Sequence, residues 1–205
     1  MNSNRNGKRS RLLMAARCLG FFFSFCAVAR AQTSTWDLTL AGQSMIRSDF
    51  REVAPSEIST ISPLLRGDVI FTNLEGTIAE KGERVTEGRG FLAPPEALDA
   101  LKALGFNLLA LSDNHSFDLK VTGIQNTLRE VKSRNIAHAG IGNNLEEASA
   151  PGYLHTPKGT VALVSIASGL IAEGGSATAT RRGRWTMTLV GVRDALRRGE
   201  FALVE

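Results

Sequence analysis

The sequence predicts an α/β domain built on a largely parallel sheet, and three observations carry that prediction. Apolar strand-like runs alternate with amphipathic stretches at βα spacing. Two of the runs, Asp68-Val69-Ile70-Phe71-Thr72 and Phe106-Asn107-Leu108-Leu109-Ala110-Leu111, are short and nearly continuous, as buried strands are. Each then opens into a polar loop, Asn73-Leu74-Glu75-Gly76-Thr77 after the first and Ser112-Asp113-Asn114-His115-Ser116-Phe117-Asp118 after the second. Open α/β sheets place ligands beyond the carboxyl ends of their strands, so these two loops form the candidate site.

Residues 1–31 read as a signal peptide ahead of the domain. Arg5, Lys8, Arg9 and Arg11 precede an apolar run over 18–28, and Ala29-Arg30-Ala31 puts small residues at −3 and −1 of a cleavage point after Ala31. The run is shorter than the ~20 residues of a membrane span. An uncleaved leader that holds the protein at a membrane is the alternative, given Arg17 at its edge. Phe25 before Cys26 argues against a lipoprotein, and Lys8-Arg9-Ser10-Arg11 is not a clean twin-arginine pair. The expected location is therefore secreted, periplasmic or cell envelope.

The leader also accounts for the basic balance. It holds six of the 24 basic residues and none of the 20 acids, which leaves 18 basic against 20 acidic residues, a formal charge of −2. No support for nucleic-acid binding remains. Both cysteines, Cys18 and Cys26, lie in the leader, so the mature chain has no disulfide, thiolate zinc site or cysteine nucleophile.

Beyond the leader, residues 36–42 alternate as a first strand that Gly42-Gln43-Ser44 ends in a turn. A helix is expected over 56–65 with Ser56 as N-cap, then the second strand at 68–72. Residues 76–93 are polar and glycine-rich, a long loop or hairpin. Pro94-Pro95-Glu96 opens a helix that Gly105 ends, before the strand at 106–111. Val121, Ile124, Leu128 and Val131 mark a helix over 119–134, weakened slightly by Gly123. A strand at 136–141, a helical turn capped by Asn144, and two strands around Pro157-Lys158-Gly159 follow. There is no internal repeat. From Gly174 the chain is loop-like, and it turns basic at Arg181-Arg182-Gly183-Arg184, with a helical stretch near 192–201 and a strand-like end.

The site residues each have a plain structural alternative. Glu75 could coordinate or bridge metals, act as a base, or be a solvated loop glutamate. Asp113 or Asn114 could cap the next helix, with His115 packed on it. Asp118 reads as a helix cap or as a partner of His115. Asn73 could bind metal or hold its loop, and Gln43 suits a structural hydrogen bond. His138 and His155, near short strands, read as structural or exposed. Gly140-Ile141-Gly142-Asn143 lacks the third glycine of a dinucleotide fingerprint and reads as turn geometry.

At these loops the sequence resembles the CapA family of capsule and poly-gamma-glutamate biosynthesis proteins. The matching stretches are residues 68–75, Phe91-Leu92-Ala93-Pro94-Pro95 with 100–106, 111–118, 123–128 and 138–145, in the family's order over roughly 36–180. The resemblance implies a layered α/β fold like that of calcineurin-type metallophosphatases. It implies a divalent metal ion of Mn, Zn or Fe type held by Glu75 and Asn114, with His115 at the leaving group. Asn73, Asp113, Asp118 and Gln43 would surround them. The implied partner is an anionic extracellular polymer or its biosynthetic machinery. Two departures stand out. Gln43 occupies a position where the family commonly has an aspartate ligand, and no histidine follows His155, although later family strands supply them. The expected organisation is thus a leader over 1–31, a truncated domain over 32–180 and a divergent or out-of-frame tail over 181–205. Three functions stay open: a metal-dependent hydrolase, a non-catalytic envelope protein and an inactive fragment.

Overall fold

The computed structural model describes residues 35–86, 88–168, 173–184 and 186. The leader and the tail elements expected beyond residue 186 lie outside the described residues. The centre is a four-stranded sheet in the order β1 (Leu38–Ser44), β2 (Val69–Leu74), β5 (Leu108–Ala110), β6 (Ala137–Ala139), and every pairing in it is parallel. The α/β expectation holds, and the strands lie where the apolar runs put them.

Parallel neighbours need crossovers, and helices supply them. Between β1 and β2 come α1 (Phe50–Val53), α2 (Pro55–Ile61) and a 3-10 turn at Ser62–Leu64. The expected single helix with Ser56 as N-cap is corrected: α2 starts at Pro55, after Ala54, with no side-chain cap. The four-residue α1 was not foreseen, being too short to show a period; Asp49 caps it by accepting from the Arg51 N–H at 2.9 Å. Helix α3 (Glu96–Leu104) ends at Gly105 as expected, and α4 (Lys120–Ser133) joins β5 to β6. Leu98, Leu101 and Leu104 of α3 and Ile124, Leu128 and Val131 of α4 share one apolar core with Ile70, Leu74 and Leu109 of the sheet and with Leu111 just past β5.

Gly123, which looked like a weak point in its helix, is a close-approach residue. A Cβ there would lie 2.3 Å from Thr77 Cγ2 and 2.9 Å from Leu119 Cβ. Helix α4 therefore lies directly on β3 (Thr77–Ile78), where Thr127 Oγ1 also accepts the Ile78 N–H at 3.1 Å. Gly123→Ala gains about 1 kcal/mol of helix propensity but overpacks this contact, at a cost of about 1–3 kcal/mol. The expected net result is a lower urea midpoint; a higher one would mean that Thr77 rotates aside freely.

Several boundaries differ from the sequence expectations. β1 runs on through Ser44, and a register shift between Leu40 and Gln43 stands where a turn was expected. The segment 76–93 begins and ends in paired strands, since β3 pairs in parallel with β4 (Leu92–Ala93), which a hairpin would not do. The expected strand at 136–141 is two strands, β6 and β7 (Ile141–Gly142). They are broken at Gly140, whose φ of +112° turns the chain where a Cβ would meet Ser112 and Ser165. Helix α5 (Leu145–Ser149) has Asn144 as its cap, accepting the Glu147 N–H, and β8 (Gly152–Thr156) pairs with β9 (Gly159–Leu163) as an antiparallel hairpin. Last, β10 (Gly183–Arg184) pairs antiparallel with β7.

Candidate functional site

Three segments distant in sequence meet beyond the carboxyl end of the sheet: Glu75 after β2, the loop after β5, and Arg184 on β10. The loop is folded by its own side chains. Asp113 Oδ1 accepts the His115 N–H at 2.7 Å, and Ser116 Oγ donates to the Asp113 carbonyl at 2.8 Å. Thr77 Oγ1 donates to the His115 carbonyl at 2.6 Å, which ties the loop to β3.

These bonds aim the imidazole. Asp118 Oδ2 accepts the Phe91 N–H at 2.6 Å and lies 2.8 Å from His115 Nδ1. A carboxylate only accepts, so Nδ1 carries the hydrogen and Nε2 is the working nitrogen. It lies 4.0 Å from Glu75 Oε1, close enough for attraction and too far for a hydrogen bond. The Phe91 ring packs at 5.9 Å from the imidazole, and the Arg47 guanidinium sits 4.2 Å over Phe91.

The charged groups around the loop are desolvated. Glu75, Asp113 and Arg184 are all buried, Arg184 to 1% exposure. Burial pushes the Asp113 carboxyl up to about 7; the His115 and Ser116 N–H groups oppose the shift and the nearby Glu75 charge adds to it. Arg184 Nη1 donates to the carbonyls of Asp113 (3.1 Å) and Asn114 (3.3 Å). Glu75 Oε2, Asp113 Oδ2, Arg184 Nε and Arg184 Nη2 have no partner, and they are the only such buried side-chain atoms among the described residues. Folded proteins leave few buried polar atoms unpaired, so four at one place single this loop out as the candidate ligand site.

Of the residues proposed from sequence, Glu75, Asp113, His115 and Asp118 are brought together. Asp118 does not cap α4, whose N-cap is Leu119 without a side-chain bond; it partners His115 and Phe91 instead. Asn114 is exposed on the same loop and meets Arg184 through its carbonyl. Asn73 lies within β2 rather than in the loop, in register with Gln43 on β1 and Ala110 on β5. Gln43 is exposed, and its side chain makes none of the hydrogen bonds seen among the described residues. His138 and His155 line a separate cavity of about 370 Å³. His138 Nδ1 lies 2.7 Å from the Ile136 carbonyl and burial lowers its pKa; His155 Nδ1 lies 2.8 Å from Thr160 Oγ1. Arg184 was missed, because a lone arginine in a basic run carries no signal for a contact made 70 residues away.

A divalent ion finds only part of its shell here. The unpaired oxygens of Glu75 and Asp113 are hard anionic donors of the right kind, with the Asn114 amide on the same loop. Among the described residues no three His, Cys, Asp or Glu side chains are placed so as to hold one metal ion together.

A family model described as "Bacterial capsule synthesis protein PGA_cap" matches residues 37–196, through Arg184 and past it. Two proteins of Sinorhizobium fredii, "Uncharacterized protein y4sH" and "Uncharacterized protein y4uA", are each 39% identical over 117 residues, which is 54% of this chain and 25% of theirs. The chain thus matches about a quarter of the length of these relatives. With the family match covering most of its residues, the chain belongs to the bacterial capsule synthesis protein family PGA_cap.

Proposed function

We propose that this protein works in the cell envelope in making or attaching an anionic capsule polymer of the poly-gamma-glutamate type, through a hydrolase-type site centred on His115. The Asp118–His115 contact at 2.8 Å carries the reading, because it fixes the ring with Nε2 free on the Glu75 side. With Nδ1–H held by Asp118, the imidazolium form of His115 gives its Nε2 proton to the leaving oxygen of a phosphoester, or the nitrogen of an amide, as that bond breaks, and is left as the neutral ring. Glu75 takes a proton from the attacking water, and the site resets when Glu75 releases that proton to solvent and His115 takes one up at Nε2. A divalent ion held by Glu75, Asn114 and the free Asp113 oxygen would add Lewis-acid charge and lower the pKa of bound water. Export follows from the leader, and no helix among the described residues is long and apolar enough to cross a membrane.

A second reading, a non-catalytic envelope protein that keeps the fold, is favoured by the exposed Gln43 and by the lack, among the described residues, of three His, Cys, Asp or Glu side chains placed to hold one ion. Metal titration separates the two. The purified chain should bind Mn²⁺ or Zn²⁺ at micromolar concentration, and Glu75→Gln should weaken binding by about tenfold or more. No bound metal in the wild type would remove the metal-dependent reading and leave the second.

A further inference from the structure

The guanidinium of Arg184 is buried, one nitrogen is committed to the Asp113 and Asn114 carbonyls, and neither Nε nor Nη2 has a partner among the described residues. Those two donors form the side-on edge of the group, where two N–H bonds point the same way at the spacing of two oxygens of one carboxylate or phosphate. A buried cation without an anion is costly, and a fork left open inside a protein is rarer still. The carbonyls that Nη1 holds are neutral and cannot balance the charge. The unpaired edge belongs to the residue that clamps the loop carrying His115, so what binds there is held close to the candidate site.

We propose that Arg184 is an oxyanion-binding residue: its Nε/Nη2 edge takes two oxygens of a carboxylate or phosphoryl group bidentately, beside the His115 loop. The position next to His115 rests on the functional reading above; the binding itself does not. The edge is closed to solvent in the free protein, so an anion enters through local opening and ligand binding holds the loop shut. The substrate would then be gripped by an acidic substituent rather than through its leaving group alone.

The test is thermal denaturation and calorimetry on the full chain at constant ionic strength, with inorganic phosphate in one arm, glutarate in a second and chloride as the control. At least one oxyanion at about 20 mM should raise the melting temperature above the chloride control. Arg184→Lys, which keeps the charge and loses the fork, should bind it about tenfold more weakly, and Arg184→Met should not bind it. His115→Ala should bind as the wild type does, so a dead hydrolase and an absent anion site remain distinguishable. A stronger response to phosphate assigns a phosphoryl ligand, and one to glutarate assigns a carboxylated ligand. The proposal is overturned if neither anion exceeds chloride with the wild type, a result independent of whether any variant folds, or if Arg184→Lys binds as tightly as the wild type.

Discussion

Replacing His115 by alanine is expected to lower turnover of bis(p-nitrophenyl) phosphate by about 10²- to 10⁴-fold, the usual contribution of a positioned general acid. The fold should survive. The side chain is 26% exposed, and its ring lies against Phe91 and Asp118 at the edge of the core. The bonds that build the loop use the backbone of residue 115, which the variant retains: its N–H to Asp113 and its carbonyl from Thr77. Asp118 keeps its bond from the Phe91 N–H. Asp118→Asn should cost less, about 10- to 100-fold, since it leaves the imidazole in place and removes only the charge that sets its tautomer. The order of the two effects matters more than either size. If His115→Ala turned over at the wild-type rate while remaining folded, the imidazole would have no part in the chemistry, and the acid–base reading would be withdrawn.

Much of this site was legible in the sequence because it hangs on strand ends. A parallel strand must be apolar on both faces, so its end shows as an abrupt change from apolar to polar, and Leu74-Glu75 and Leu111-Ser112 are both such changes. Asp118 was half legible. Three residues after His115 it could cap the next helix or turn back on the ring, and only the Phe91 N–H, supplied by the segment entering β4 from 27 residues away, decides between them. Gly42 misled for a local reason: glycine ends strands and also marks irregularities inside them, and here the irregularity won. Arg184 was not legible at all. Two-residue strands such as β7 and β10 show no alternation, and their pairing rests on contacts that no local pattern encodes. Within the basic run 181–184, Arg181 and Arg182 precede β10 and Gly183 and Arg184 form it, a division that the composition of the run does not reveal.

Stability should fall as pH rises from about 4 to about 7, by up to about 4 kcal/mol from Asp113 alone. The folded protein holds the Asp113 proton up to about pH 7, because burial disfavours the charged carboxylate. An unfolded aspartate releases it near 3.9. Between those values the native state binds more protons than the unfolded state, so the slope of unfolding free energy with pH is negative, and the contribution is fully lost once pH exceeds the folded value. His138 acts in the opposite sense: burial lowers its pKa, so the unfolded state binds the extra proton below about 6.5 and stability from this group rises with pH. Asp49, Asp68, Glu130 and Glu147, all held low by hydrogen bonds and cationic neighbours, lose their contributions only as pH falls through the acid range. The measurement is therefore a difference. Urea midpoints of the chelator-treated wild type and of Asp113→Asn, taken at each pH, cancel every group the two share. The wild type should lose ground to the variant steadily across that window, since the substituted amide can still accept the His115 N–H and carries no charge to bury. A flat difference would mean that the Asp113 carboxylate is solvated or paired in solution, and that the free Oδ2 is no mark of a ligand site.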